Sequence, residues 1–353
     1  MILALTLSPS IDRFATAKSL ELGEINRLEI VGSVPGGKAL NAARAAKICG
    51  ANVEVVAPLG GYSGRWIESA IAGWAIEITK VIIDANSRIC TAIESYEDQR
   101  VTQLYEDAPP LSHDELFRFT QEVFKKLDKA SWCLVSGSIP AHTDKVLIRE
   151  LLDKVAKSRC KIAIDLAGEN LTSAFDALPD LVKVNLCEAQ EAVELLTQDG
   201  SLSGSPQLDI ADLQVEDEIS MATSLATLIQ TYLATESKKQ RADSTDERSA
   251  DQFIPRVVVT VGEAGAIYCS DKTWFVRNHL HGNFTQGCGD TLMGVMLACL
   301  DQESTGLDES NWLAAFREGV AASVANALEP LPAVFTNSKV QECLNELEIV
   351  QLY

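Results

Sequence analysis

The chain has no cysteine pair of recognisable spacing. Its nine cysteines (Cys49, Cys90, Cys133, Cys160, Cys187, Cys269, Cys288, Cys299 and Cys343) are odd in number, scattered, and form no C-x-x-C. That removes the usual signature of a structural zinc site. Cysteines set mostly in apolar segments behave as small core residues of a protein kept reduced, so a cytoplasmic location is expected. Histidine is scarce as well. His279 and His281 lie close in sequence, but no cysteine or carboxylate cluster completes a ligand set, and both are expected on exposed loops. No apolar run reaches the roughly 20 residues needed to span a bilayer. The opening "MILALTLSPSIDRF" is too short in its apolar part, and lacks the basic start, for a secretory signal; it reads as a first strand. Positive charge is also in short supply, with 30 basic against 50 acidic residues and a formal charge of −20. Nucleic acid and anionic membrane are therefore excluded as main partners, and an anionic ligand must be drawn in by local positive features. Finally, there is no G-x-x-x-x-G-K-[ST], and no G-x-G-x-x-G opening a helix after the first strand.

What is present is the profile of a soluble globular chain: 353 residues, 46% apolar, 23% charged, mean hydropathy +0.05. This length suits one large α/β domain or two average ones. "ILALTL" reads as a buried strand, followed by a turn at Ser8-Pro9-Ser10 and Asp12. "INRLEIVGSV" and "RICTAIESYEDQRVTQLYE" alternate partially, as half-exposed strands do. Between them "GGKALNAARAAKICGA" is an alanine-rich helix with a glycine stop. From about residue 113 helical and strand-like segments alternate regularly, which predicts a parallel sheet covered on both faces. Ligands of such sheets bind beyond the carboxyl ends of the strands, a rule that selects Ser136-Gly137-Ser138, Asp165, Asn185 with Glu188, and Thr260-Val261-Gly262. Two polar stretches, 197–220 and 237–253, break the rhythm and read as acidic surface insertions.

Three glycine-bearing loops are expected at the heads of helices: "PGGKALN", "VGEAG" and "QGCGD". The last precedes the apolar "TLMGVMLACL", and glycine is the poorest ordinary helix former. Taken alone, the segment leaves two readings open. Asp290 is an N-cap after a tight loop, or the free amides of 287–290 and the positive helix end form an anion site.

"PGGKALN" with upstream Asp12, "SGSIP", "DLAGENL", "KVNLCEAQE", "VVVTVGEAGAIY" and "TQGCGDT" occur in the order and spacing of the PfkB-type carbohydrate kinases, and the sequence most resembles their phosphosugar branch. The resemblance implies a ribokinase-like fold: a three-layer α/β/α sandwich with a mostly parallel sheet and a small β-strand lid. The whole chain would be a single domain, with lid segments at about 12–35 and 86–106. The implied reaction is ATP-dependent, Mg²⁺-requiring phosphorylation of a hydroxyl on a sugar phosphate of the fructose 1-phosphate, fructose 6-phosphate or tagatose 6-phosphate class.

By the same resemblance Asp290 is the catalytic base, and Gly287, Cys288 and Gly289 complete the anion hole that phosphoryl transfer requires. Asp12, Gly37, Lys38, Asn41, Arg88 and Ser138 match acceptor-binding positions. Lys183, Asn185, Thr260, Gly262, Gly265 and Asn326 match nucleotide-contacting ones, and Asn185 with Glu188 would organise Mg²⁺. Without the resemblance, Asn185 and Glu188 read as a capping box, and Lys38 and Arg88 as surface charge. Departures from the pattern gather on the acceptor side: Ser8-Pro9-Ser10, Ala39, Ser87-Arg88-Ile89-Cys90 and Thr102-Gln103-Leu104-Tyr105. Ala39 replaces a glycine and requires a negative φ. Cys288 replaces an alanine at a helix start, where a lowered thiol pKa would make it modifiable. Two rival readings stand beside this one: a kinase of an unphosphorylated sugar or nucleoside, and a sensor of sugar phosphate or nucleotide without catalysis. Lid edge strands make a homodimer plausible.

Overall fold

The computed structural model describes residues 1–97, 100–202, 218–243, 253–303 and 307–353. In chain order the first strands are β1 (Ile2–Leu5), β2 (Ser10–Ala17), β3 (Glu29–Gly36), β4 (Val53–Leu59), β5 (Glu77–Ile82), β6 (Arg88–Ser95) and β7 (Arg100–Tyr105). Then come β8 (Trp132–Ser136), β9 (Lys161–Asp165), β10 (Leu181–Asn185), β11 (Arg256–Val261), β12 (Gly265–Cys269), β13 (Thr273–Arg277) and β14 (Glu348–Gln351). The helices are α1 (Lys38–Ile48), α2 (Gly61–Gly73), α3 (His113–Leu127), α4 (Lys145–Ala156) and α5 (Gly168–Ala174). They continue with α6 (Leu186–Gln198), α7 (Glu218–Asp243), α8 (Cys288–Gln302), α9 (Glu309–Ala327) and α10 (Asn337–Asn345).

Strands covered on both faces are apolar at most positions, and that is why the central ones read as nearly continuous apolar runs. In β1, Ile2 and Ala4 point into one core while Leu3 and Leu5 point into another. In β11, Val258 joins the first core, and Val257, Val259 and Val261 the second. The first core is closed by α1, α2, α8, α9 and α10; the second by α3 to α7. The result is three layers around a sheet ordered β14-β13-β12-β11-β10-β9-β8-β1-β4-β5. From β5 to β11 all pairings are parallel, and β12, β13 and β14 extend the sheet antiparallel.

A second sheet, ordered β3-β2-β6-β7, stands apart from the first. Its β2 falls mostly within the lid segment expected from about residue 12, but it begins earlier. Ser10 and Asp12, expected in a turn, lie within it, because β2 pairs with β3 on one side and β6 on the other whatever its own polarity. Two further expectations are corrected. "VGEAG" heads no helix: β11 passes through one 3-10 turn, Gly262–Ala264, into β12, a reversal that Gly265 permits with φ 128°. And 237–243 is not a surface excursion but the last part of α7, with Ser237 buried. Most of the 197–220 stretch and residues 244–252 lie outside the described residues.

The helices that open at the carboxyl ends of the strands bring their first turns together there. α1 and α8 pack closely, with Ala42 of α1 directly against Gly294 of α8. A Cβ on Gly294 would lie 2.1 Å from the carbonyl oxygen of Ala42. Gly294→Ala is therefore expected to lower stability by about 1–3 kcal/mol, through overpacking against backbone that has no rotamer to yield. Gly73→Ala, where a Cβ meets nothing within 4 Å, is the control. Urea denaturation of the two variants checks the contrast, and equal midpoints would refute it.

Candidate active site

α8 begins without a cap. Its N-cap is Gly287 at φ 73°, which supplies no side-chain hydrogen bond, so the first-turn amides point outward. Asp290, the third residue of the helix, does not fold back to cap it. Asn41 of α1 donates from Nδ2 to Asp290 Oδ2 at 2.9 Å, which holds the carboxyl sideways. The N-cap reading is thereby excluded, and the start of α8 carries a buried carboxylate that caps nothing. Burial, reinforced by the nearby Asp165 charge and opposed by Lys183, Asn41 and Lys38, raises the Asp290 pKa to about 6.

Behind this turn lies a chain of buried charges. Asp165, at the end of β9 and 0% exposed, accepts from Lys38 Nζ at Oδ1 and from Lys183 Nζ at Oδ2, both at 2.9 Å. Lys38 also reaches Glu188 Oε1 at 2.8 Å. Burial opposes ionisation of Asp165, but the two ammonium groups outweigh it and hold the carboxyl below its ordinary value. For Lys38, burial is outweighed by Asp165 and Glu188, which keep it firmly charged. A Cβ on Gly289 would stand 2.7 Å from Lys183 Nζ, so a larger residue there would push the ammonium away from its place.

Two clefts meet at this point, and Lys38 and Asp290 line both. The first collects Lys183, Asn185, Glu188, Thr260, Gly262 and Gly265, together with Cys288 and Gly289. The second holds Asp12, Gly37, Asn41, Arg88, Ser138 and Gly287. In the second cleft Ser10 Oγ donates to Asp12 Oδ1 at 2.6 Å, and burial raises the Asp12 pKa. Gly36 leaves room for that carboxyl, which a Cβ would strike. Arg88 makes long contacts, from Nη2 to the Ser8 carbonyl oxygen at 3.3 Å and to Ser8 Oγ and Ser138 Oγ at 3.5 Å, and from Nη1 to the Glu106 carbonyl oxygen at 3.4 Å, while its buried Nε has no hydrogen-bond partner. A guanidinium so weakly engaged suits an incoming anion. Gly37 takes the positive φ at the start of α1, 110°, and Ala39 is free of it, so the substitution there is tolerated.

Two expectations fail. Asn326 does not face the first cleft. It is fully buried, donating from Nδ2 to the Gln286 carbonyl oxygen at 3.0 Å and accepting at Oδ1 from the Ala333 amide at 2.5 Å. It thus ties the loop before α8 to the loop carrying Pro332. Cys288 is not an activated thiol: burial pushes its pKa up to about 11, against the pull of the helix end. Asn185 and Glu188 form the capping box, Asn185 Oδ1 accepting from the Glu188 amide at 2.8 Å and Glu188 Oε2 from the Asn185 amide at 2.9 Å. Such a pair holds hard oxygen donors at the mouth of the cleft. That fits a Mg²⁺ taking one carboxylate plus water and phosphate oxygens. It does not fit an all-protein cage, and among the described residues no group of three or more His, Cys, Asp or Glu is placed to hold a metal.

Several site residues were not selected from sequence as part of the working centre. Asp165 carried a signal, since it ends a strand at the binding edge, but its double ion pair did not. Tyr105, Cys90, Gln286 and Pro332 also line the second cleft, brought there from distant segments.

A three-layer α/β/α sandwich with a separate β-sheet beside the strand ends, and an uncapped helix start between two clefts, defines a carbohydrate kinase of ribokinase-like fold. The chain belongs to the pfkB family carbohydrate kinases, whose family model matches residues 5–334. It is 23% identical to 1-phosphofructokinase of Bacillus subtilis (strain 168), with 100% of each chain covered. In fold it is similar to phosphofructokinase-2 from Escherichia coli in complex with potassium, with TM-score 0.77, 21% identity and 98% of each chain covered. It is likewise similar to a possible 1-phosphofructokinase from Thermotoga maritima, with TM-score 0.76, 17% identity, 100% of this chain and 99% of that one covered. Among the described residues no helix is long and apolar enough to cross a membrane.

The raised Asp290 pKa makes a stability prediction. Native Asp290 holds its proton up to about pH 6, whereas an unfolded aspartate loses it near roughly 4. Wild-type stability contributed by this group is therefore present below the unfolded value and lost as pH rises through the folded one. Asp290→Asn escapes that loss. It should be more stable than wild type by about 1–3 kcal/mol at pH 8, with the difference vanishing near pH 4. Chemical denaturation at both pH values measures it, and a pH-independent difference would contradict the assignment.

Proposed function

We propose that this chain transfers the γ-phosphoryl group of ATP to a hydroxyl of a sugar phosphate of the fructose 1-phosphate, fructose 6-phosphate or tagatose 6-phosphate class. The observation that carries this reading is the position of Asp290. It lies on the wall common to both clefts, at the uncapped start of α8. ATP enters the cleft lined by Asn185, Thr260, Gly262 and Gly265, and the acceptor enters the one lined by Asp12, Asn41, Arg88 and Ser138. Asp290 takes the proton of the acceptor hydroxyl. Its oxygen attacks the γ-phosphorus as the bond to the β–γ bridging oxygen breaks, giving the phosphorylated sugar and ADP. Charge spread over the equatorial oxygens is met by the 287–290 amides, and Lys38 and Lys183 stand behind them. Mg²⁺ held by Glu188 and Asn185 would neutralise phosphate charge. Positioning and charge neutralisation are most of what such a transition state needs.

One observation favours a second reading, a kinase of an unphosphorylated sugar or nucleoside. Lys38 already spends its charge on Asp165 and Glu188, which leaves Arg88 to meet a phosphate in the acceptor cleft, and a neutral acceptor would need neither cation. The two readings separate in an ADP-release assay with Mg²⁺–ATP across the three phosphosugars, free hexoses, ribose and nucleosides. Turnover on a phosphosugar is expected, falling about a hundred- to ten-thousandfold in Asp290→Asn. Arg88→Ala should raise the phosphosugar KM by about 10- to 100-fold, with little effect on any neutral acceptor. Turnover confined to neutral acceptors would favour the second reading. Binding of ATP or sugar phosphate with no turnover at all would favour a sensor.

The four-stranded sheet acts as the lid in this reading, and its surface asks for a partner. Val31 and Val101 are about half exposed on the face it shares with the acceptor cleft, and Ile30 and Leu104 on the opposite face. A second copy is the occupant proposed, consistent with the tetrameric inhibited form of Escherichia coli phosphofructokinase-2. Sedimentation should give a dimer or higher species, and Val101→Glu should weaken it. A monomer at micromolar concentration would overturn the proposal.

A further inference from the structure

Asp12, Cys90 and Tyr105 form one row across three lid strands. Asp12 pairs with Cys90 in register between β2 and β6, and Cys90 with Tyr105 between β6 and β7. Directly paired residues send their side chains to the same face of a sheet, and all three line the acceptor cleft with Arg88 and Asp290. Cys90 and Tyr105 are also two of the positions at which the sequence departs from the pattern it resembles.

The three differ in what they offer. Asp12 is a buried carboxylate already holding Ser10, and Cys90 is 4% exposed and contributes a small, weakly polar floor. Tyr105 ends the outer strand and is 56% exposed, a rigid ring standing over the cleft. Burial raises its pKa, and the charges of Asp12 and Asp290 facing it act in the same direction, so the phenol stays a protonated donor through the neutral range. A small side chain beside a large aromatic one, in a cleft that also holds Asp12, Asp290 and Arg88, makes a slot. Such a slot fits a compact polyol with one flat, C–H-rich face and an anionic end.

We infer that Tyr105 determines which acceptor this enzyme accepts, its ring covering the apolar face of the sugar and its hydroxyl donating to an acceptor oxygen, with Cys90 leaving the depth that the ring needs. The inference rests on the kinase reading above and concerns the acceptor alone.

The test is steady-state kinetics on the same acceptor panel with wild type, Tyr105→Phe, Tyr105→Ala and Cys90→Asn. Tyr105→Phe keeps the ring and should raise the acceptor KM about 5- to 20-fold. Tyr105→Ala should raise it further and change the ratio of kcat/KM between the best and second acceptor at least tenfold. Cys90→Asn should shift that ratio too. KM for ATP, melting temperature and sedimentation should stay at wild-type values. Acceptor ratios within twofold of wild type in both Tyr105 variants would overturn the inference, and so would an altered oligomeric state accompanying unchanged ratios, which would assign Tyr105 to a subunit contact. A wild-type enzyme that turns over no acceptor would instead remove the kinase reading, and this inference with it.

Discussion

Asp165 is fully buried and accepts hydrogen bonds from two lysines, and the rest of the site is arranged around that carboxylate. An ion of this kind is stable in the interior only when its partners are close and its lone pairs filled, and removing one partner would leave a buried charge uncompensated. Lys183, from the neighbouring β10, lies so close beneath the start of α8 that any side chain at position 289 would displace its ammonium group. Lys38, from the first turn of α1, links the same carboxylate to Glu188 on α6. Four elements of the chain are thus fixed to one another through one carboxyl group. What they enclose is the uncapped end of α8.

This arrangement answers how a chain of formal charge −20 can hold an anion. The attraction does not come from net charge. In the reading proposed above it would come from the amides at the start of α8 and from Lys183 and Lys38, one buried and one about a third exposed, whose fields act over short distances in a poorly screened interior. Asp290 sits in the same field but on the opposite side of the balance, raised by burial and by Asp165. A carboxyl kept near the working pH range is a better proton acceptor than one far below it. The local energetic conflict is typical of sites built for chemistry: a helix with a glycine at its N-cap, a second glycine in its first turn and an aspartate that caps nothing is poor as a helix start and good as an anion hole.

The central sheet was legible because its constraint is local and repeated. A strand buried on both faces is apolar at most positions, and helices of regular length must separate parallel neighbours, so β1, β4, β8, β9, β10 and β11 announced themselves. The lid was legible only in part. β2 reads Ser-Ile-Asp-Arg-Phe, without alternation, and is a strand because β3 and β6 flank it. At "VGEAG" a helix head was expected because a glycine-bearing loop after a strand is ambiguous, and the antiparallel return of β12 is a choice made by pairing. Asn326 was misplaced for a similar reason: helical periodicity puts it on α9 without saying which neighbour its amide meets. For Cys288, the helix end and the burial pull the thiol in opposite directions, and only packing decides which is larger.

By itself, then, the sequence determined the layer order, the family, and the identity of the residues at the strand ends and in the glycine loops, since each depends on residue type and spacing along one stretch of chain. Only the tertiary structure decided that Asp290 turns toward Asn41 instead of capping its helix, that Lys38 is paired twice while Arg88 is left open, and that Asp12, Cys90 and Tyr105 stand in one row. Those facts depend on distances between segments separated by tens to hundreds of residues. No local pattern encodes such distances, because they arise from how the sheet, the lid and the paired helices pack together.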